Sequence, residues 1–357
     1  MKRIQALDIL RFAAAVLVVG YHFGQEANLG YFRNIFNAFV PPVLTFFFAL
    51  SGFVLMIAYF DRKEISARDF YIARLARLAP LYWLALLLTA ILRYGIEQQW
   101  FSLFLSAAFL QAWVYPFALD YNDVGWAVSV EVSFYLTFPL ILTLIRNGKI
   151  ASRRFFWIAL ASYLLTQWIL IAGLNSPAYP GFPSPAYNLI HFFPPVHYCT
   201  FLLGIAGGWF YLENRERVLA GPLSYAILLS AFALTFVVVQ FLPDWLRHSG
   251  FRLPINASFY APLFLALILA IAFTRNRITD ALGWGPLVTL GAVSYAYYIL
   301  QRPFTMALKF TYELFHLNPT SAFYAVAISL LAFAFLAYYL VEGPAKSLFL
   351  KLFNRPA

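Results

Sequence analysis

The chain has 357 residues, of which 62% are hydrophobic, 20% aromatic and only 11% charged, and its formal net charge is +10. Soluble domains carry about 25% charged residues, so the composition excludes a soluble globular protein and predicts an all-α, polytopic integral membrane helical bundle. The basic residues flank apolar segments, which argues for membrane topology and against a nucleic-acid partner.

The first apolar segment, 6–24, contains Arg11 and His22. Ionisable groups within a bilayer are costly and usually mark a function. Eleven helical steps make roughly three turns and a rise of about 16 Å, so the pair shares one face and is separated by about half the hydrocarbon thickness. The blander alternative is an arginine that snorkels and an interfacial histidine. Asp8, three residues before Arg11, is placed to pair with it and lower the cost of burying both. Arg11 interrupts the apolar run and no cleavage site precedes a polar start, so the segment reads as a retained helix and not as a signal peptide.

Nine further segments are long enough to span: 43–60, 78–94, 126–145, 155–173, 194–212, 222–242, 256–274, 286–308 and 320–341. Before the third, Arg74 and Arg77 share a helical face and could grip phosphates through forked, charge-assisted hydrogen bonds. Taken in isolation, the simpler role for such arginines is to hold topology or to bind anionic lipid. The tryptophan-containing stretch 100–115 is apolar but short, and is placed as a re-entrant or interfacial piece on the outer side.

The span beginning at Trp126 carries Ser129 and Glu131. Glu131 lies about 7 Å along that helix, near the depth inferred for His22, where a carboxylate could orient an imidazole. Ser129 lies on a different face and reads as an N-cap. Proline-rich loops from Asn175 to Pro195 and from Pro243 to Pro254 fall outside and end the neighbouring helices, and Gln301, Arg302 and Glu342 are further polar residues in apolar runs. His191, His197, His248 and His316 fall in or beside outer loops, with solvated or structural roles expected.

With this assignment 18 of the 25 basic residues fall on one side, including Lys2, Arg3, Lys63, Arg146, Arg154, Arg215, Arg277 and Arg355. The positive-inside rule then puts both termini in the cytoplasm. The division expected is one transmembrane domain over 1–345 and a short basic cytoplasmic tail over 346–357. A single cysteine, Cys199, excludes an internal disulfide framework, and no metal-ligand cluster, Gly-rich phosphate loop or Gly-x-Ser-x-Gly elbow occurs, so no metal is predicted.

Taken in order, the motifs resemble the acyltransferase family 3 membrane proteins. Leu7-Asp8-Ile-Leu10-Arg11 through His22 resembles that family's first helix, Phe47 through Ser51-Gly52-Phe53 its second, and Arg74-Leu-Ala-Arg77-Leu-Ala-Pro80 its third. Trp126 through Glu131 and Tyr135 resembles the fourth, and Ser294-Tyr295 with Val341-Glu342-Gly-Pro344 the last two. The resemblance implies transfer of an acyl group, usually acetyl, from cytoplasmic acyl-CoA as co-substrate to an envelope or exported carbohydrate or glycolipid, in a bacterial inner membrane. It also implies His22 as catalytic base, Arg11 as its essential partner, and Arg74 with Arg77, and Arg11, as acyl-CoA contacts. A transporter or flippase for a lipid-linked sugar, with Arg11, His22 and Glu131 forming a path, is the competing reading.

Overall fold

The computed structural model describes residues 4–62, 66–93, 99–314 and 316–353, apart from the side chains at 247 and 309–314. Lys2, Arg3, Lys63 and Arg355 of the charge count lie outside the described residues, as do the side chains of Arg247 and Lys309. Among the described residues fifteen α-helices follow one another: α1 Ala6–Phe23, α2 Tyr31–Tyr59, α3 Ala67–Leu92, α4 Trp100–Ala107, α5 Trp126–Arg146, α6 Ser152–Leu174, α7 Pro185–His191, α8 Pro194–Asn214, α9 Pro222–Ser249, α10 Ala261–Phe273, α11 Arg277–Leu282, α12 Gly285–Ile299, α13 Gln301–Leu314, α14 Pro319–Ala337 and α15 Gly343–Phe353. A π-helical turn, Tyr338–Glu342, joins the last two. No strand occurs among the described residues, and eight helical stretches are long and apolar enough to cross a membrane, so the all-α polytopic expectation holds.

The expected ten spans differ in detail. The segment 256–274 forms the 13-residue α10, about 20 Å long, short of a hydrocarbon core of about 30 Å. The segment 286–308 is broken at Leu300 into α12 and α13. Its cause is Pro303, which has no N–H to offer the carbonyl of Ile299 one turn back. That carbonyl accepts from Asn122 Nδ2 at 2.9 Å, and Gln301 Nε2 donates to Tyr298 O at 2.7 Å.

Some helices run through prolines, among them Pro243, which the sequence treats as a helix end. α2 runs through Pro41 and Pro42, α3 through Pro80 and α9 through Pro243. Ser66 caps α3, accepting from Asp69 N at 3.4 Å, so Arg74 and Arg77 belong to the spanning helix itself and not to a segment ahead of it. The stretch 100–115 contains only the eight-residue α4 and a short 3₁₀ turn, too short to cross.

The chain folds into two compact units. The first contains Met1–Arg11, Asn37–Lys63 and Thr137–Gly291. Its helices α2 and α8 touch at backbone distance: a Cβ on Gly52 would overlap the Phe201 carbonyl oxygen, and one on Gly204 the Ala49 carbonyl oxygen. Small residues let helices approach this closely where lipid supplies no hydrophobic drive between them. Phe53, Phe201, Leu50, Ile205 and Met56, all buried, fill the same unit.

The second unit contains Phe12–Phe36, Glu64–Leu136 and Ala292–Ala357. Within it the chain between α4 and α5 is tied to α3 and α5 by side chains. Tyr82 OH donates to Ser106 O at 2.9 Å, Gln111 Nε2 donates to Tyr82 OH at 2.8 Å and to Gly125 O at 2.9 Å, and Ser129 Oγ donates to Phe109 O at 2.5 Å. Ser129 is therefore buried in the first turn of α5 as a tether and is not an N-cap. The tail residues up to Phe353 continue α15, where Arg68 donates to Phe353 O at 2.9 Å.

Candidate active site

Arg11 and His22 both lie on α1, as their spacing requires. The expected pairing near the start of that helix is present: Arg11 Nη1 is 3.8 Å from Asp8 Oδ1, and Asp8 is 3% exposed. The helix is held there by Gly291 of α12, where an added Cβ would collide with the Asp8 backbone.

His22, one residue from the end of α1, is exposed, which suits a group that must meet a substrate. The charges that act on its imidazole are those of Asp123 and Arg302. Asp123 sits in the tethered loop three residues ahead of Trp126, and Arg302 directly after the break between α12 and α13. The loop anchored by Gln111, Ser129 and Asn122 thus fixes the carboxylate, and the Pro303 break fixes the arginine. Sequence reasoning does not single out Asp123; the available signal is an acid immediately ahead of a span that opens with Trp126.

Glu131 lies in the second turn of α5, eight residues beyond Asp123, and accepts a short hydrogen bond from Tyr135 OH. Its charge acts on Arg77, as does that of Glu342, and the Tyr135 and Tyr295 hydroxyls lie within reach of the same guanidinium. Arg74, one turn before, lies over the rings of Phe70 at 5.8 Å and Tyr135 at 5.9 Å. Such cation–π contacts steady a guanidinium without consuming its donors. Glu342 is buried, with Oε2 lacking a hydrogen-bond partner, at the end of the π-helical turn. Isolated π turns recur at functional sites.

Tyr298 joins the two groups. The charges of both Asp123 and Glu131 act on it, and its hydroxyl donates to Val124 O at 2.9 Å. Tyr295, just under one turn before it, donates to Leu78 O at 2.9 Å, one residue after Arg77. Within the second unit the electrostatic influence of each group thus reaches the next, from Arg74 and Arg77, by Tyr135, Glu131 and Tyr298, to Asp123 and His22. These residues come from α1, α3, α5, α12 and the loop ahead of α5, which no single sequence window contains.

Helices long and apolar enough to cross a membrane, with ionisable side chains among them, define an integral membrane protein. A family model described as "Acyltransferase domain" matches residues 4–339, so the chain belongs to acyltransferase family 3 and is a membrane acyltransferase. The acyltransferase MdmB of Streptomyces mycarofaciens is 27% identical over 96% of this chain and 89% of its own length. Nodulation protein 10 of Rhizobium leguminosarum bv. viciae is 31% identical over 47% of this chain and 51% of its own. A protein of Staphylococcus aureus (strain COL) named as an O-acetyltransferase is 24% identical over all of this chain, which spans 60% of that relative. No solved structure matches the chain significantly.

Proposed function

We propose that this acyltransferase moves an acyl group, acetyl in the simplest case, from cytoplasmic acyl-CoA to a hydroxyl of an envelope or exported carbohydrate or glycolipid. Both termini are then cytoplasmic, the membrane is a bacterial inner membrane, and the chain works among membrane lipids. What supports this reading is the polar series between Arg74 and His22, since it links arginines near the start of α3 with a histidine at the far end of α1, ends that the positive-inside rule assigns to opposite sides.

In this reading Arg74, Arg77 and Arg11 attract the phosphates and thioester arm of acyl-CoA. His22 takes the proton of the acceptor hydroxyl as its oxygen attacks the thioester carbonyl. The C–S bond breaks, the ester forms, and the imidazolium returns the proton to the departing CoA sulfur. Asp123 steadies that imidazolium, the role the sequence assigns to Glu131, while Glu131 keeps Arg77 in place.

The test is purified protein in lipid nanodiscs with radiolabelled acetyl-CoA and glycan extracted from the host envelope. Label appearing in alkali-labile ester on the glycan supports the proposal. Glycan that crosses a liposome membrane unmodified would return the chain to the transporter reading.

A further inference from the structure

We propose that the first unit contains a binding pocket for a sugar residue of the acceptor, separate from the polar series of the second unit. A cavity of about 490 Å³ lies where α6 and α9 end and α10 is about to begin, and its lining includes Tyr179, His191, Leu246, Phe251, Arg252 and Asn256. The volume falls in the range of small-molecule sites, about 300–1,000 Å³. The inner-side arginines of the charge count, Arg154, Arg215 and Arg277, stand at the opposite ends of α6, α8 and α10, so the cavity is at the extracytoplasmic end of its unit.

Its chemistry selects the occupant. His191 is 8% exposed, and its Nδ1 has no hydrogen-bond partner; Asn256 Oδ1 is buried and also lacks one. The histidine is rigidly held, with its ring 4.1 Å from that of Tyr187 and its carbonyl 3.1 Å from His197 Nε2. The Arg252 guanidinium lies 5.9 Å from the Tyr179 ring, and its backbone is clamped from both sides by the Asn175 amide at 2.9 and 2.8 Å. An alkyl chain in this cavity would leave both buried polar atoms unpaired. A sugar meets them with hydroxyls and lays its C–H face on Tyr179 or Phe251, as amphipathic aromatic surfaces favour. The first unit thus retains the acceptor while the second performs the chemistry. That assignment of the ligand to the acceptor rests on the acyltransferase reading.

The experiment omits any acyl donor, so it reads the pocket independently of catalysis. The full chain in nanodiscs is photolabelled with diazirine-bearing alkyl glycosides with glucose, N-acetylglucosamine and rhamnose heads, and in parallel with the matching diazirine alkyl alcohol. At least one glycoside is expected to label peptides within 243–256, and His191→Phe, which keeps the ring stack, and Asn256→Leu should each lower that labelling at least 5-fold. Arg252→Gln, at an exposed position, supplies a variant with little risk to folding and should lower it about 3-fold. Equal labelling of this stretch by glycosides and alcohol, or labelling that none of the three variants changes, overturns the pocket. Loss of labelling in a variant that retains acyl transfer to a soluble monosaccharide supports a retention site; absent transfer with intact labelling counts against the acyltransferase chemistry alone.

Discussion

The two units solve the problem of packing in lipid differently. The first places glycine against backbone: Gly52 and Gly204 bring α2 and α8 into contact, and the side chains around them are aromatic or aliphatic. The second gathers interacting charges from several helices, Arg77 with Glu131 and Glu342 and His22 with Asp123 and Arg302, whereas the ion pairs of the first are local, Asp8 with Arg11, or exposed, Asp61 with Arg215. Glycine contacts need no partner chemistry and tolerate no added atom. A buried ionic group tolerates changes of shape but depends on each partner, because removing one leaves an uncompensated charge. The contact between α2 and α8 is therefore intolerant of volume and the charges around Arg77 intolerant of alteration.

The sharpest division comes from His22→Ala. Acyl transfer should fall about 10²- to 10⁴-fold, the usual worth of general-base assistance, with unchanged folded yield by size-exclusion chromatography. A normally folded, active variant would remove His22 from the chemistry. Because the base acts when neutral, the wild-type rate should rise with pH as the imidazole loses its proton and then level off. Next in size, Arg77→Met removes the cation whose charge acts on both Glu131 and Glu342. A loss of roughly 3 kcal/mol in stability is expected, read as a lower detergent melting temperature, and weaker acyl-CoA binding should accompany it. Unchanged stability would mean that the carboxylates are compensated elsewhere.

On the other side of the comparison, Gly204→Ala adds one methyl at a backbone contact. It should cost about 1–3 kcal/mol, the range for overpacking, while the activity of the molecules that do fold stays close to wild type. Loss of activity at full stability would show that the α2 and α8 contact serves the reaction and not only the fold.

How much of this is legible in the sequence follows the same division. Apolar length reveals the spans, and Arg11, His22, Arg74, Arg77 and Glu131 stand out because charge in an apolar run is rare. The Asp8 and Arg11 pair, a local (i, i+3) relation, is legible for the same reason. Asp123 is not, because an acid in a loop is ordinary until Gln111, Ser129 and Asn122 fix that loop against helices distant in the chain. Nor are helices running through Pro41, Pro42 and Pro243, where packing of the apolar residues on either side outweighs the missing N–H groups. Gly52 stands in a recognisable motif, but its reason, the Phe201 carbonyl, belongs to another helix.

The smallest effect tests the joint between α12 and α13, where the second unit uses a polar side chain to mend its own backbone. Pro303 withholds an N–H from Ile299 O, and Asn122 Nδ2 supplies the donor in its place at 2.9 Å. Asn122→Ala should leave a buried carbonyl unpaired at a cost of about 1–2 kcal/mol, and shift Arg302 enough to lower transfer a few-fold. Pro303→Ala restores the N–H, so the helix supplies the bond internally and Asn122 becomes redundant. The thermodynamic cycle over the two sites is therefore predicted to be non-additive, with Asn122→Ala nearly neutral for stability in the Pro303→Ala background. Full additivity would mean that Asn122 acts on something other than the Ile299 carbonyl. If the double variant recovers stability but not activity, the break itself, by aiming Arg302 at His22, is what the reaction needs.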